Sequence, residues 1–216
     1  AVAPIFRHET LLSFVPVFAA MAQRQVERWR KADCTTPTDA AAAMTRTTFE
    51  IIVEAMLGGS ANLDAERYSR ALTDNFDTIP WHIIYVMFSI PEWMPYPHRR
   101  RAMRSRDFLH RDIRRIVAAR HFSQSTKPDL LNLMRAARDP ETGRSMSDDE
   151  IVANILTFIT AGHETTAVAL TWTLWLLAKD QATQQRVFDE VRSVAGDLPI
   201  DAARVEGLAF CRQVIQ

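Results

Sequence analysis

Glycine, cysteine and net charge are all in short supply in this chain, and each shortage removes a class of protein. Gly occurs 6 times in 216 residues, while Ala, Leu, Arg and Met are plentiful, a composition that predicts a mainly helical fold. Only Cys34 and Cys211 are present, far apart and without CxxC spacing. That excludes a disulfide framework or a zinc site of paired cysteines and fits a reducing, cytoplasmic setting. Lys+Arg and Asp+Glu are equal at 26 each, so the overall charge points to neither nucleic acid nor an acidic partner. No signal peptide is visible at Ala1.

Long hydrophobic runs are also missing. Thr78 to Pro91 carries no Asp, Glu, Lys or Arg but falls short of the ~20 residues a membrane helix needs. Ile151 to Ala178 is long enough, yet Glu164 near its midpoint would cost ~3 kcal/mol in a bilayer, with Asn154 and His163 adding to it. No transmembrane segment is expected. His163-Glu164 could open an HExxH zinc site, but position 167 is Ala, which excludes that reading.

What is there is a succession of helical patterns with no convincing strand or hairpin between them. Val15, Ala19, Ala22, Val26 and Trp29 recur at helical spacing from Ser13 to Lys31, with Pro16 in the first turn. Thr38 or Asp39 can cap a second helix through Met44, Phe49, Ile52 and Met56, ended by Gly58-Gly59. A third spans Asp64 to Asp77. Ile79 to Pro97 is apolar, aromatic and broken by prolines, and reads as a packed loop with a short helix, or else as a lid or lipid-touching surface.

His98 to His121 holds nine Arg and two Asp around an apolar stripe of Leu109, Ile113 and Ile116. It reads as a solvated helix face, the alternative being a docking surface for an acidic partner. Without interleaved aromatics it does not suggest nucleic acid. Asp139-Pro140-Glu141-Thr142-Gly143 is a turn, and Ser147-Asp148-Asp149-Glu150 a capping box that opens a long helix to about Ala178. Another covers Gln181 to Val194, and Leu208 begins one more. The pattern is still amphipathic at Gln216, so the chain is expected to be one partial domain over 1–216 with both ends inside a longer protein.

The long helix breaks local rules at Ala161-Gly162-His163-Glu164-Thr165-Thr166. Asn154, Phe158, Ala161, Thr165 and Trp172 share one face by spacing. Gly162 costs roughly 1 kcal/mol relative to Ala. Thr165 can bond the Ala161 carbonyl four residues back, so a local opening of the helix is expected. A free carbonyl, a hydroxyl and a carboxylate would then stand together in an apolar pocket, a plausible proton path.

These residues resemble the central (I) helix of cytochrome P450 monooxygenases, whose pattern [Ala/Gly]-Gly-x-[Glu/Asp]-Thr-[Thr/Ser] is filled by Ala161, Gly162, Glu164, Thr165 and Thr166. Gln184 to Val194 resembles the J helix that follows, Ala3-Pro4-x-Phe6 the segment after the C helix, and Leu57-Gly58 the end of the E helix. The resemblance runs from the end of the C helix to the start of the K helix and implies a multi-helical bundle around the I helix. It further implies a haem cofactor, O2 as co-substrate, a small apolar organic substrate, and electrons ultimately from NAD(P)H through a ferredoxin or flavin reductase. Thr165 and Glu164 would be catalytic, steering protons. Ala161, Gly162, Thr165 and Thr166 would meet the cofactor and leave room for oxygen. Phe158, Thr160 and Ala161 would line the substrate side, and Ile79 to Pro97 would gate substrate.

The family's Cys-bearing haem loop has no match here: neither Cys34 nor Cys211 sits in such a context. Glu27-x-x-Arg30 and Glu141-x-x-Arg144 carry the letters of the family's Glu-x-x-Arg pair at the wrong places. The chain alone is therefore expected to bind haem weakly or not at all and to be inactive, the longer parent being the enzyme. The alternative is a haem-free helical binding or scaffold protein.

Overall fold

A computed structural model describes residues 7–33, 35–58, 63–91, 93–120, 129–139 and 141–215. Cys34, Gly59, Pro140 and the Ala3-Pro4-x-Phe6 segment lie outside the described residues. Eleven helices follow one another among those described: α1 His8–Ser13, α2 Val15–Lys31, α3 Ala40–Leu57, α4 Ala65–Phe76, α5 Ile79–Met87, α6 Arg99–Ala119, α7 Leu130–Ala136, α8 Asp148–Lys179, α9 Gln181–Ala195, α10 Ala202–Gly207 and α11 Ala209–Ile215. The described residues form no strand. A single antiparallel bridge joins Arg138 to Ser145 across the turn at Asp139.

Short-range chemistry sets most helix starts. Asp39, Asp64, Asp129, Asp180 and Asp201 each accept an amide from the first turn of the helix that follows. Ser147 and Glu150 form the expected capping box at α8: the Glu150 amide donates to Ser147 Oγ at 3.3 Å, and the Ser147 amide to Glu150 Oε2 at 2.8 Å. Arg144 adds a bond of 2.6 Å to the same carboxylate, and together these hold its pKa down at about 2. Gly58 ends α3 in the left-handed region (φ 61°).

Helix α8 runs through the middle, flanked by α3 and α6, with α9 and α11 against its C-terminal part. Its buried side carries Val152, Ile155, Leu156 and Ile159, which join Phe49, Val53 and Met56 of α3 and Leu109, Ile113 and Val117 of α6 in one core. Each fully buried aliphatic of this set contributes roughly 2 kcal/mol by leaving water. The α6 stripe closes on Val117 rather than on Ile116, which is half-buried. Most arginines of α6 are exposed, as a solvated face requires.

Arg120 is the exception. Buried at the C-cap of α6, it donates to Asp129 at 2.5 Å and to the Leu57 carbonyl at 2.5 Å, tying three helix ends together. The Ile79–Pro97 segment also departs from a packed loop. Its helix α5 buries no residue, and Ile83, Val86, Met87, Phe88 and Trp93 are exposed. Tyr96 instead clasps the segment to itself, stacking edge-on against His82 and Tyr85. Among the described residues, no helix is long and apolar enough to cross a membrane.

Candidate functional site

The two sides of α8 differ sharply in its central turns. Ala161, Glu164, Thr165 and Thr166 are exposed, and the same open surface continues through Val168, Trp172 and Leu176, each more than half exposed. Thr165 Oγ1 donates to the Ala161 carbonyl at 2.6 Å, the bond expected from their spacing. Phe158 is half-buried and packs against the core, Thr160 is half-buried, and Asn154 donates to the Glu150 carbonyl at 2.7 Å.

The expected opening of the helix is not found: α8 is one continuous helix of 32 residues. The physical reason is that the Thr165 hydroxyl shares the Ala161 carbonyl with the backbone ladder instead of displacing it. A single glycine, at roughly 1 kcal/mol, does not break a helix held by core packing on both sides of the defect.

Gly162 faces α3: a Cβ built there would come within 2.7 Å of Ile52 Cδ1, the end of a half-buried side chain.

The opposite side of the turn was not legible in the motif, where residue 163 is a free position. His163 is 2% exposed. Its Nδ1 lies 3.1 Å from the Ile159 carbonyl, and its ring meets Phe49 edge-on with centroids 5.8 Å apart. Thr48 Oγ1 of α3 donates across to the His163 carbonyl at 2.9 Å. One signal was available: Val152, Leu156, Ile159, His163 and Ala167 recur at helical spacing, which puts 163 in the buried stripe.

Comparison with known proteins shows the family of the chain. The family model described as Cytochrome P450 matches residues 1–216. The chain belongs to the cytochrome P450 family. It is 32% identical over 162 residues to a bifunctional cytochrome P450/NADPH–P450 reductase of Gibberella moniliformis, covering 73% of this chain and 14% of that protein. A self-sufficient cytochrome P450 monooxygenase of Phanerodontia chrysosporium is 38% identical over 101 residues, 47% of this chain and 10% of its own length. The crystal structure of the cytochrome P450DA heme domain superposes with a TM-score of 0.80 at 25% identity, covering 98% of this chain and 46% of that one. The chain thus spans a small part of these curated relatives and under half of the solved domain.

Ala161 and Thr165 lie on the open surface of α8. Val168, Trp172, Trp175 and Leu176 extend it, with the two indoles edge-to-face at 5.3 Å and Lys179 over Trp175 at 3.6 Å. Partial burial first, then the neighbouring Glu190 carboxylate, push the thiol of Cys211 up to about 11. Glu190 itself is occupied in accepting the Phe210 and Cys211 amides at 2.7 and 2.8 Å. Among the described residues no cluster of His, Cys, Asp or Glu could hold a metal ion.

Proposed function

We propose that this chain forms the oxygen-side half of a haem-thiolate monooxygenase that inserts one atom of O2 into a small apolar organic substrate. The observation that carries the reading is the Thr165 hydroxyl bonded to the Ala161 carbonyl at 2.6 Å on the open surface of α8. A haem bound against that surface, through a Cys outside this chain, would supply dioxygen binding and activation.

The chain's own residues would position and protonate. At rest the Thr165 proton is parked on the Ala161 carbonyl. Rotation of the side chain would free that donor, and the same oxygen could accept a proton while giving its own. Glu164, exposed one residue earlier, would take protons from water and pass them towards Thr165. Ala161 would leave space beside the cofactor, Thr166 would border it, and Phe158 and Thr160 would form part of the substrate wall. The exposed apolar segment Ile79–Pro97 would gate the pocket.

Electrons would come from NAD(P)H through a ferredoxin or a flavin reductase. The fusion to NADPH–P450 reductase named for the Gibberella moniliformis relative favours the flavin reductase. The unbridged thiol of Cys211 agrees with a cytoplasmic setting. The whole protein, reduced under carbon monoxide, should show the difference band of thiolate-bound haem, and a spectrum without it refutes the assignment. Thr165→Ala should release peroxide at the expense of product, and unchanged coupling would remove Thr165 from its role.

A further inference from the structure

The back of the motif turn is gripped by three consecutive contacts from α3. Ile52 meets Gly162, the Phe49 ring meets the His163 ring, and the Thr48 hydroxyl reaches the His163 carbonyl. The last contact is chemically peculiar. Thr48 is 4% exposed and has one hydroxyl proton but three carbonyls within reach: Met44 at 2.9 Å, Thr45 at 3.2 Å and His163 at 2.9 Å. One O–H serves one strong acceptor at a time. Its own helix already offers the ordinary partner, Met44, four residues back. The bond to α8 is therefore an alternative available at the same distance.

In a continuous helix the His163 carbonyl also receives the Ala167 amide. A second donor on that oxygen weakens the ladder bond. Two further carbonyls of the same stretch are shared as well: Ile159 with the His163 ring, and Ala161 with the Thr165 hydroxyl. Those two sharing groups belong to α8 itself, whereas Thr48 acts from another helix.

We propose that Thr48 is a positioning residue for the oxygen-side turn of α8, whose continuous ladder it weakens at one bond, Ala167 to His163, by donating to the His163 carbonyl from α3. The proposal rests on the monooxygenase reading above for its functional consequence, but its structural half stands on the α3–α8 contact alone. With the hydroxyl on His163, the turn below Thr165 keeps a slack ladder bond, and the Thr165 side chain can swing off Ala161 without straining a taut helix. With the hydroxyl removed, the His163 carbonyl returns wholly to the Ala167 amide and the turn tightens.

The test uses the full-length, haem-loaded protein and the pair Thr48→Val and Thr48→Ser, with Thr48→Ala in reserve should valine be rejected at this site. Amide hydrogen exchange over residues 164–168 should slow about fivefold in Thr48→Val, the ratio that one neutral hydrogen bond is worth. Thr48→Ser should restore the natural rate. A role in packing alone predicts the opposite sign, faster exchange throughout α8, and either that result or no change overturns the proposal.

Under NADPH and O2 without added substrate, the variant should also change the peroxide released per NADPH consumed, with serine again restoring it. Slowed exchange at a natural peroxide yield refutes the positioning role. The carbon monoxide spectrum of the natural protein judges the haem assignment separately, so the two readings cannot be mistaken for each other when one fails.

Discussion

Replacing Asp129 by asparagine removes a charge while keeping the shape of the side chain, at a point where three helices meet. Asp129 is 0% exposed and Arg120 is 5% exposed. Asp129 Oδ2 receives the Arg120 guanidinium at 2.5 Å, and Oδ1 receives the Asn132 amide at 2.8 Å as the N-cap of α7. Asparagine retains an oxygen for the cap but leaves a buried cation without its carboxylate, an imbalance that costs about 3–5 kcal/mol. Alanine removes the cap as well, adding about 1 kcal/mol. Against a total stability of about 5–15 kcal/mol, Asp129→Asn should lower the urea midpoint of the full-length protein severely, and Asp129→Ala slightly further. Circular dichroism through the unfolding transition measures both. The double variant Arg120→Met with Asp129→Ala should recover most of the loss, because an apolar pair carries no stranded charge. A loss below about 1 kcal/mol in Asp129→Asn would show that the pair is hydrated and refute the argument.

Other sites give independent tests. Gly162→Ala gains helix propensity of about 1 kcal/mol, and its methyl group would meet Ile52 Cδ1, the flexible end of a half-buried side chain that can turn aside, so the thermal midpoint should rise. A lower midpoint would refute the argument. Glu150, held at about 2 against an ordinary 4.5, contributes stability that is complete above about 4.5 and lost as pH falls towards about 2. Acid unfolding of Glu150→Gln should therefore show a shallower pH dependence across that window than the natural protein. Cys211, pushed up to about 11, should alkylate slowly at neutral pH in a Cys34→Ser background, and Glu190→Gln should speed the reaction by removing one of the two causes.

The parts of the fold that could be read from the sequence are those whose chemistry is local. Asp39, Asp64 and the Ser147–Glu150 box cap helices within three residues of themselves, so their letters suffice. The Thr165–Ala161 bond is one helical turn long and was legible for the same reason. The buried role of Arg120 was not. It sits at the end of a run of exposed arginines, and its partners, Leu57 and Asp129, are brought to it by the packing of α3 and α7. The Ile79–Pro97 segment misled in the opposite direction. Its apolar letters suggest packing, but the aromatic contacts of Tyr96 with His82 and Tyr85 hold the segment to itself, and Ile83, Val86, Met87 and Phe88 stay exposed.

Gly162 and Ala161, adjacent in the motif, turn towards different neighbours. Its place beside Ala161 suggests that both small residues make room on one surface, yet successive residues on a helix are turned by about 100° from one another. Ala161 and Thr165, four apart, share the open side, while Gly162 and His163 fall towards α3. The hexapeptide therefore answers two requirements at once. On the function proposed above its outer residues would border the haem, while its inner residues face α3, whose Thr48 hydroxyl reaches the α8 backbone. A large residue at 162, such as leucine, would separate α3 from α8 and break the Thr48–His163 bond, so it should disturb the Thr165 side without touching it. Exchange of amides 164–168 should then change in Gly162→Leu in the same sense as in Thr48→Val, whereas Gly162→Ala, which displaces only Ile52 Cδ1, should leave it at the natural rate. Opposite signs in Gly162→Leu and Thr48→Val would mean that helix spacing and the hydroxyl act on the turn independently.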